Sequence, residues 1–334
     1  MDPRVVVVCG ASAGIGRAVA RRFGREGWRV ALLARGHDGL EAARAEIEST
    51  GGTALVVPLD VADAAAVEAA AARVEREWGA IDVWINNAMV TTYCELLDMS
   101  DEDFRRVTDV TYLGSVWGLR AALRRMVPRD RGVVVQVGSA LAYRSIPLQS
   151  AYCGAKSALR GVIDSLRSEL LHRASRVKVT MVQLSAFNTP QFDWGKTCGT
   201  KQPQPVPPIF QPEVAAEGIY HAALRPRREL WVGWPAMKAI LGQRVIPGLL
   251  DRYLAGAGYD GQHTDEPLPA GRRDNLYAPV PGDAGAHGRF DARAQGTSLQ
   301  LAASLHRGAI ATAALAGLAV ALLAGAWTSR RRLR

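Results

Sequence analysis

The sequence predicts a doubly wound α/β fold, in which a parallel, Rossmann-like sheet of seven strands carries helices on both faces and a C-terminal extension follows. From Arg4 to about Val232, apolar runs alternate with longer helical patterns, as is typical of a parallel sheet with covering helices. The runs are almost continuously apolar, as strands buried on both faces should be. A glycine-rich turn follows the first run directly, where this fold places its first strand-to-helix turn.

The seven predicted strands lie at 5–10, 28–35, 54–61, 81–88, 132–139, 177–184 and 229–234. The helical patterns between the first four strands end at glycine, as helices commonly do. A further helix is predicted around residues 212–224. After Thr189 the sequence becomes rich in Pro, Gly and aromatic residues, which predicts a lid or binding loop.

Three segments are predicted. Residues 1–250 form the Rossmann-type domain, and residues 251–298 form a polar Gly- and Pro-rich extension, either a weakly ordered linker or an arm on the domain surface. Residues 299–334 contain an apolar helix that ends in an arginine cluster.

Residues 308–327 of that last segment hold no charge and are numerous enough to cross a bilayer as a helix. We expect them to attach an otherwise cytoplasmic domain to a membrane. The alternatives are a buried or oligomer-forming helix, or a helix that lies flat on the membrane. A single crossing would place the arginines at 330–334 outside the cytoplasm, against the positive-inside tendency, so the topology stays open.

Composition argues against several classes of function. The formal net charge is +9, but only five of the 41 basic residues are Lys and the arginines are scattered, so no nucleic acid partner is expected. The four cysteines share no CxxC spacing and have no neighbouring His cluster, so no metal site is predicted. We expect all four to be reduced thiols in a cytosolic compartment, and the N-terminus lacks the features of a signal peptide.

The glycine-rich turn CGASAGIG spans residues 9–16. Gly10, Gly14 and Gly16 lack side chains, which permits a tight turn and lets a pyrophosphate approach the amides of a helix N-terminus. The turn therefore predicts a dinucleotide site, to which Ser12 and Ile15 of the same loop are added as contacts. The alternative is an ordinary strand-to-helix turn.

Arg35 follows the second predicted strand, where the adenosine ribose of a dinucleotide would lie. An acidic residue there would bind the 2′-hydroxyl of NAD, whereas a guanidinium pairs with the 2′-phosphate of NADP. We therefore expect NADP, with NAD as the alternative; a solvated surface arginine is the competing interpretation of Arg35.

Taken in order, these motifs resemble the short-chain dehydrogenase/reductase family over about residues 4–235. CGASAGIG resembles the TGxxxGIG loop of the family, and NNAM at 86–89 resembles NNAG. Ser139 precedes Tyr152 by thirteen residues, and Tyr152 begins a YxxxK motif that ends at Lys156. The resemblance implies a homo-oligomer built through helices near 101–127 and 151–173. It also implies cofactor contacts from Asp60, Val61, Asn87, Ala88, Tyr152, Lys156 and Thr189.

The chain departs from the family pattern at several positions. Cys9 replaces a Thr, Met89 replaces the last Gly of NNAG, and Ser185-Ala186 replaces Pro-Gly. Thr111 stands where many members carry an Asn that positions a water in a proton relay. Since that relay is thought to use the backbone carbonyl, Thr111 is retained as a candidate catalytic residue.

The spacing of Tyr152 and Lys156 places a phenol and an ammonium on one face of a helix. An unperturbed tyrosine has a pKa near 10, and a nearby ammonium favours the phenolate and lowers that pKa. Tyr152 is thus predicted to exchange a proton with the substrate, with Lys156 tuning it. Ser139, just past the fifth strand, would hydrogen-bond the substrate oxygen.

These features predict an NADP(H)-dependent oxidoreductase that interconverts a secondary alcohol and a ketone or aldehyde. Four aromatic residues of the lid region, Phe187, Phe192, Trp194 and Phe210, favour an apolar substrate, although core packing would explain them equally well. The alternative function is a catalytically idle NADP-binding sensor or a membrane scaffold.

Overall fold

The computed structural model describes residues 3–308 and Thr312. Its main sheet consists of β1 (Val5–Cys9), β2 (Arg29–Ala34), β3 (Thr53–Pro58), β4 (Ile81–Asn86), β5 (Val133–Val137), β6 (Lys178–Leu184) and β7 (Glu229–Val232). All pairings are parallel and the spatial order is β3-β2-β1-β4-β5-β6-β7. Each strand overlaps one of the seven predicted runs, so the doubly wound fold is confirmed.

Strand β1 shows why the runs are continuously apolar. Val6 and Val8 pack into the core on one face of the sheet, whereas Val5, Val7 and Cys9 pack into the core on the other. Because successive side chains point to opposite faces, a strand covered on both sides needs apolar residues at every position.

The helices that cover the sheet fall into two layers. Helices α1 (Gly14–Arg25), α2 (His37–Ser49) and α8 (Pro212–Leu224) pack on one face, and α3 (Ala64–Trp78), α5 (Gly114–Met126) and α6 (Ser150–His172) pack on the other. Helix α8 has the bounds predicted for it. The remaining helices are α4 (Asp101–Val107), α7 (Gln191–Trp194), α9 (Trp234–Val245), α10 (Pro247–Asp260) and α11 (Leu299–Leu305). A π-helical turn, Thr108–Leu113, joins α4 to α5.

Two cysteines are paired, so the prediction that all four are reduced thiols is wrong. The short strands Thr92–Tyr93 and Lys196–Thr197 pair in parallel, and Cys94 and Cys198 follow them directly. The pairing brings the two Cα atoms within 5.1 Å, and the sulfurs form a disulfide. The two cysteines lie 104 residues apart, so their spacing carried no signal. Cys9 and Cys153 are free and buried.

The C-terminal extension is attached to the domain at many points. Helix α10 continues to Asp260, and the strand His263–Pro267 pairs with Lys201–Pro203 of the lid. Residues 268–298, here called the arm, then run past the carboxyl ends of the strands. Leu276 of the arm is fully buried. The arm is thus a packed segment with little regular structure.

The predicted membrane segment lies almost entirely outside the described residues. Of residues 308–327, the structure describes Gly308 and Thr312. In the part of the chain that the structure describes, no helix combines the length and the apolar character that a bilayer crossing requires.

Candidate active site

Two adjoining cavities open at the carboxyl ends of the strands, where ligands of open α/β sheets bind. The first, here called the nucleotide cleft, has a volume of about 200 Å³ and lies over the turn between β1 and α1. The second, here called the inner cavity, has a volume of about 550 Å³ and lies between β5, α6 and the lid. Ile15, Asn87, Met89 and Thr189 line both, so they mark the point where the two cavities meet.

The glycine turn brings β1 and α1 into close contact. Gly10 has a φ of +79° and Gly14 a φ of +58°, in the left-handed region that favours glycine. A Cβ atom added to Gly16 would lie 1.9 Å from the carbonyl oxygen of Gly10, so no side chain fits there. Nearly all predicted cofactor residues line the nucleotide cleft: Gly10, Ser12, Gly14, Ile15, Arg35, Asp60, Val61, Asn87, Ala88 and Thr189.

Arg35 lies in the nucleotide cleft but is not a free surface cation. Its guanidinium donates to the carbonyl oxygens of Asn275 and Leu276, both in the arm. Arg106 donates to the same Leu276 oxygen and pairs with Asp60. Burial is the main cause that lowers the pKa of Arg35, and the charge of Arg106 lowers it further. The carboxylate of Asp60 opposes this shift. Two cations and one carboxylate therefore leave this corner with a net positive charge.

The arm supplies the outer wall of the nucleotide cleft, which the sequence analysis did not foresee. Asn275, Pro279 and Gly282 line the cleft. The amide of Gly14, at the start of α1, donates to the carbonyl oxygen of Gly285 over 3.0 Å. Buried Arg17 holds the arm through Asp283 at 3.2 Å. The Pro- and Gly-rich composition of this segment indicates irregular backbone but carries no signal for where it packs.

The inner cavity contains the three predicted catalytic side chains. Ser139, Tyr152 and Lys156 all line it, together with apolar and aromatic residues. Of the four aromatic residues expected around the substrate, Phe187 and Phe192 line this cavity, whereas Trp194 lines the nucleotide cleft. Phe210 packs behind Phe187, with ring centroids 6.0 Å apart.

Ser139 lines the inner cavity beside Tyr152. Burial raises the pKa of Tyr152 above its ordinary value, and the nearby Ser139 hydroxyl opposes that shift. Ser139 Oγ accepts a hydrogen bond from the amide of Leu141 at 3.1 Å, which fixes its rotamer. The phenol is thus held in its protonated form. Its hydroxyl and that of Ser139 can both donate a hydrogen bond to one ligand oxygen.

Lys156 is fully buried, and its ammonium is bound by a backbone carbonyl group. Its Nζ donates to the carbonyl oxygen of Val137 at 2.8 Å and lies 5.6 Å from the centroid of the Tyr152 ring. Desolvation lowers the pKa of Lys156 to about 8. The expected lowering of the Tyr152 pKa by this ammonium is not found, because burial of the phenol outweighs the other influences on it.

The buried ammonium should make stability depend on pH. Because the pKa of Lys156 is about 8 in the folded chain and 10.5 ordinarily, the unfolded chain binds more protons between these values, and folding gains stability as pH rises through that window. Urea unfolding should be measured at pH 7 and at pH 10. From the lower to the higher pH, the free energy of unfolding of wild type should rise by on the order of 3 kcal/mol more than that of Lys156→Met. The exposed Lys178→Met serves as the control. An equal pH trend in wild type and Lys156→Met would contradict the prediction.

Tyr93 is a second phenol in the inner cavity that the sequence analysis missed. It is buried, and its Oη accepts a hydrogen bond from Gln191 Nε2 at 3.1 Å. Burial raises the pKa of Tyr93, and the neighbouring Tyr152 adds to the shift. Its sequence context, TTYC, resembles no motif, and the fold alone brings it to the cavity.

Thr111 lies in the π-helical turn rather than on the cavity surface. Its hydroxyl donates to the carbonyl oxygen of Val90 at 2.8 Å and accepts from the Val90 amide at 3.1 Å. Its own carbonyl accepts from Ser115 Oγ. With these contacts Thr111 positions the segment after NNAM, so we treat it as a positioning residue.

A comparison of the sequence with known protein families identifies the family of this chain. The family model described as short chain dehydrogenase matches residues 4–194, more than half of the chain. The chain belongs to the short-chain dehydrogenase/reductase family. It is therefore an oxidoreductase with a nicotinamide cofactor site, and the family resemblance of the sequence is confirmed.

Several relatives carry oxidoreductase names. The uncharacterized oxidoreductase YxnA of Bacillus subtilis is 32% identical over 279 residues, which cover 83% of this chain and 78% of the relative. The probable oxidoreductase EphD of Mycobacterium tuberculosis is 41% identical, over 74% of this chain but 44% of that protein. Human dehydrogenase/reductase SDR family member 7 is 36% identical over half of each chain.

One solved structure extends the comparison to a bound ligand. An alcohol dehydrogenase from Thermococcus sibiricus, complexed with 5-hydroxy-NADP, superposes with a TM-score of 0.60 and 28% sequence identity. The match covers 69% of this chain and 96% of the archaeal chain. The match thus includes most of this chain and nearly all of the archaeal chain, and it supports the doubly wound fold.

Proposed function

We propose that the chain is an NADP(H)-dependent oxidoreductase that interconverts an alcohol and the corresponding carbonyl compound, a secondary alcohol and a ketone or a primary alcohol and an aldehyde, and that its substrate is apolar. One observation carries the proposal: Ser139, Tyr152 and Lys156 line an apolar cavity that meets the nucleotide cleft at Met89 and Thr189. This is the arrangement that a transfer between a dinucleotide and a small molecule requires.

The residues of the cleft suit a dinucleotide. Because Gly16 has no Cβ, β1 and α1 approach closely, which supports a pyrophosphate near the amides of α1 that follow Gly14, whose own amide donates to Gly285. Arg35 lines the cleft and would donate to a 2′-phosphate, since the one carboxylate of its corner, Asp60, is already paired with Arg106. This charge balance favours NADP over NAD.

The protein's part of the chemistry is proton supply and orientation. The bound cofactor supplies or accepts the hydride. In the direction of reduction, Tyr152 Oη gives its proton to the substrate oxygen, while Ser139 Oγ donates a hydrogen bond to the same oxygen and stabilises its developing charge. Lys156, held at the Val137 carbonyl, lies close enough to favour the phenolate that remains. Oxidation follows the reverse path.

The walls of the inner cavity support an apolar substrate. Phe187 and Phe192 lie on the lid side, and Leu250 and Leu254 of α10 lie opposite. Binding sites lined by such side chains gain affinity mainly by burying apolar surface. Membrane attachment through 308–327 and assembly into a homo-oligomer through 101–127 and 151–173 stay predictions.

A panel of ketones tests the proposed reaction. NADPH oxidation by the full chain should be measured with apolar ketones of increasing size and with small polar ketones. We expect turnover to be faster with the apolar ketones. NADPH binding without oxidation of any ketone or aldehyde, and without reduction of NADP by the corresponding alcohols, would favour the idle sensor or scaffold instead.

Replacing Arg35 by Ala should change the cofactor preference. A hydrogen-bonded charge pair contributes roughly 1.5–3 kcal/mol, so the Kd for NADPH should rise about 10- to 100-fold. The Kd for NADH should change much less, because NADH lacks the 2′-phosphate. Titration of cofactor fluorescence measures both constants.

A matched control separates this effect from loss of a surface charge. Arg76→Ala removes an exposed guanidinium on α3 and should leave both constants unchanged. Because Arg35 also holds the arm, both cofactors could weaken together in Arg35→Ala. An unchanged ratio of the two constants would therefore reject a role for Arg35 in cofactor choice.

A further inference from the structure

The connection between α9 and α10 presents an unusual concentration of apolar side chains to solvent. Val245, Ile246 and Leu249 are 78%, 44% and 59% exposed, and the intervening Pro247 and Gly248 are exposed as well. We call Val245–Leu249 the hairpin tip. Nearby exposed apolar side chains on the same two helices are Trp234, Leu241 and Tyr253. Contiguous exposed apolar surface of this kind marks an interaction site.

The same two helices form a wall of the inner cavity. Ala236 and Ala239 of α9, and Leu250 and Leu254 of α10, line it, while Tyr253 both lines the cavity and is 65% exposed. The apolar surface outside is therefore continuous with the apolar interior. A ligand that leaves an apolar phase at the hairpin tip would reach the inner cavity along this apolar wall, beside the side chains of Arg144 and Lys238, which also line the cavity.

Arg144 fixes the hairpin to the domain beneath it. Its guanidinium donates to Gln243 of α9 at 2.9 Å and pairs with Asp251 of α10 at 2.7 Å. Since one half-buried arginine side chain joins both helices, the hairpin tip projects from a supported base. The position of the hairpin tip is therefore set by contacts with the rest of the domain.

Exposed cations lie on the two helices that the hairpin tip joins. Lys238, Arg244 and Arg252 are exposed, and within residues 3–308 no carboxylate lies within ion-pair distance of any of them. The nearest acidic side chain along α10, Asp251, is already paired with Arg144. An apolar tip with exposed cations on both of its helices matches a bilayer with anionic headgroups, because the apolar side chains enter the acyl boundary while the cations contact phosphates.

We propose that the hairpin tip docks on an anionic lipid bilayer and opens the inner cavity toward it. The proposal deepens the proposed function, on which its kinetic part rests, by naming the phase from which the apolar substrate enters. A second copy of the chain fits this surface less well, because a two-fold contact through the hairpin tip would gather the exposed cations of both copies at one interface. The uncharged stretch at 308–327 would add a second membrane signal, and stable attachment commonly takes two.

A single fluorescent label tests the docking directly on the full chain. The native cysteines are buried or paired, so a Val245→Cys variant can be labelled selectively with an environment-sensitive dye. The control is Ser49→Cys, which is also exposed but lies at the end of α2, next to β3 at the edge of the sheet opposite β7. Both are mixed with phosphatidylcholine vesicles that contain phosphatidylglycerol and a headgroup-proximal quencher.

We expect the dye at 245 to shift to the blue and to be quenched at least about threefold more than the dye at 49, with a weaker effect in phosphatidylcholine alone or at high salt. Equal quenching at the two positions, while the chain sediments with the vesicles, would overturn the proposal in favour of attachment elsewhere. A blue shift at 245 that depends on protein concentration without vesicles would overturn it in favour of a second copy.

A kinetic arm separates the docking surface from the reaction. In Val245→Glu/Leu249→Glu, neither changed residue lines the inner cavity, so turnover of a short, water-soluble methyl ketone should stay within about twofold of wild type. Turnover of a long-chain methyl ketone held in the vesicles should fall about tenfold. An unchanged rate on the vesicle-held ketone would refute the docking role. If wild type reduces neither ketone, the proposed function fails, and the quenching result still decides the docking.

Discussion

Tyr152→Phe is expected to lower kcat/KM for ketone reduction about 1,000-fold while leaving the Kd for NADPH within about twofold. A positioned proton donor contributes roughly 100- to 10,000-fold to a rate, and the phenylalanine keeps the ring but removes the only proton that the proposal sends to the substrate oxygen. Steady-state NADPH oxidation with the best ketone of the panel measures the loss. A binding titration measures the cofactor constant.

Tyr143→Phe is the matched control for that variant. The Tyr143 hydroxyl donates to the Glu229 carboxylate at 2.8 Å and does not line the inner cavity. Its removal should cost about 1 kcal/mol of folding stability and little activity. If Tyr152→Phe kept more than a tenth of wild-type activity, the proton donor would have to be another group, and Tyr93 would be the first to test.

Gly16→Ala is expected to damage both the fold and the reaction. The added Cβ would lie 1.9 Å from the Gly10 oxygen and 2.7 Å from Asn87 Nδ2, so α1 must move away from β1. Forcing extra volume into a packed site costs about 3 kcal/mol, and a displacement of about 1 Å at a reacting centre can cost 100-fold in rate. Thermal unfolding and kcat/KM measure the two effects.

The control for Gly16→Ala is a glycine with free space around it. Gly161 lies in α6, where an added Cβ would meet no atom within 4 Å. Because alanine is the better helix former, Gly161→Ala should stabilise the chain by about 0.5–1 kcal/mol. Wild-type stability in Gly16→Ala would mean that the turn is looser than the structure indicates.

The sheet could be predicted because each of its strands is covered on both faces. That burial leaves a continuous apolar run, and β1, β4 and β6 could be located from such runs alone. Positions next to a strand end, such as Gly10, Ser139 and Asn87, could then be placed at one edge of the sheet. For these residues, local sequence and fold agree.

Other parts of the site depend on contacts between distant segments that no local pattern encodes. Cys94 and Cys198 meet because two short strands pair, and Tyr93 reaches the inner cavity for the same reason. The carbonyl groups that hold Arg35 belong to backbone at 275–276, where any residue type would supply them. The charge of Lys156 was recognised, but the direction of its Nζ follows from burial beside Val137.

The hydrogen bond between Gly14 and Gly285 has a consequence for how the cleft is built during synthesis. The glycine turn is synthesised well before its outer wall, because Gly14 precedes Gly285 by most of the domain. Until then the nascent domain can assemble its sheet while the cleft stands open on one side. A shortened chain that stops after β7 would likewise keep Ser139, Tyr152 and Lys156 and lack the wall, so such a fragment is no substitute for the full chain in cofactor measurements.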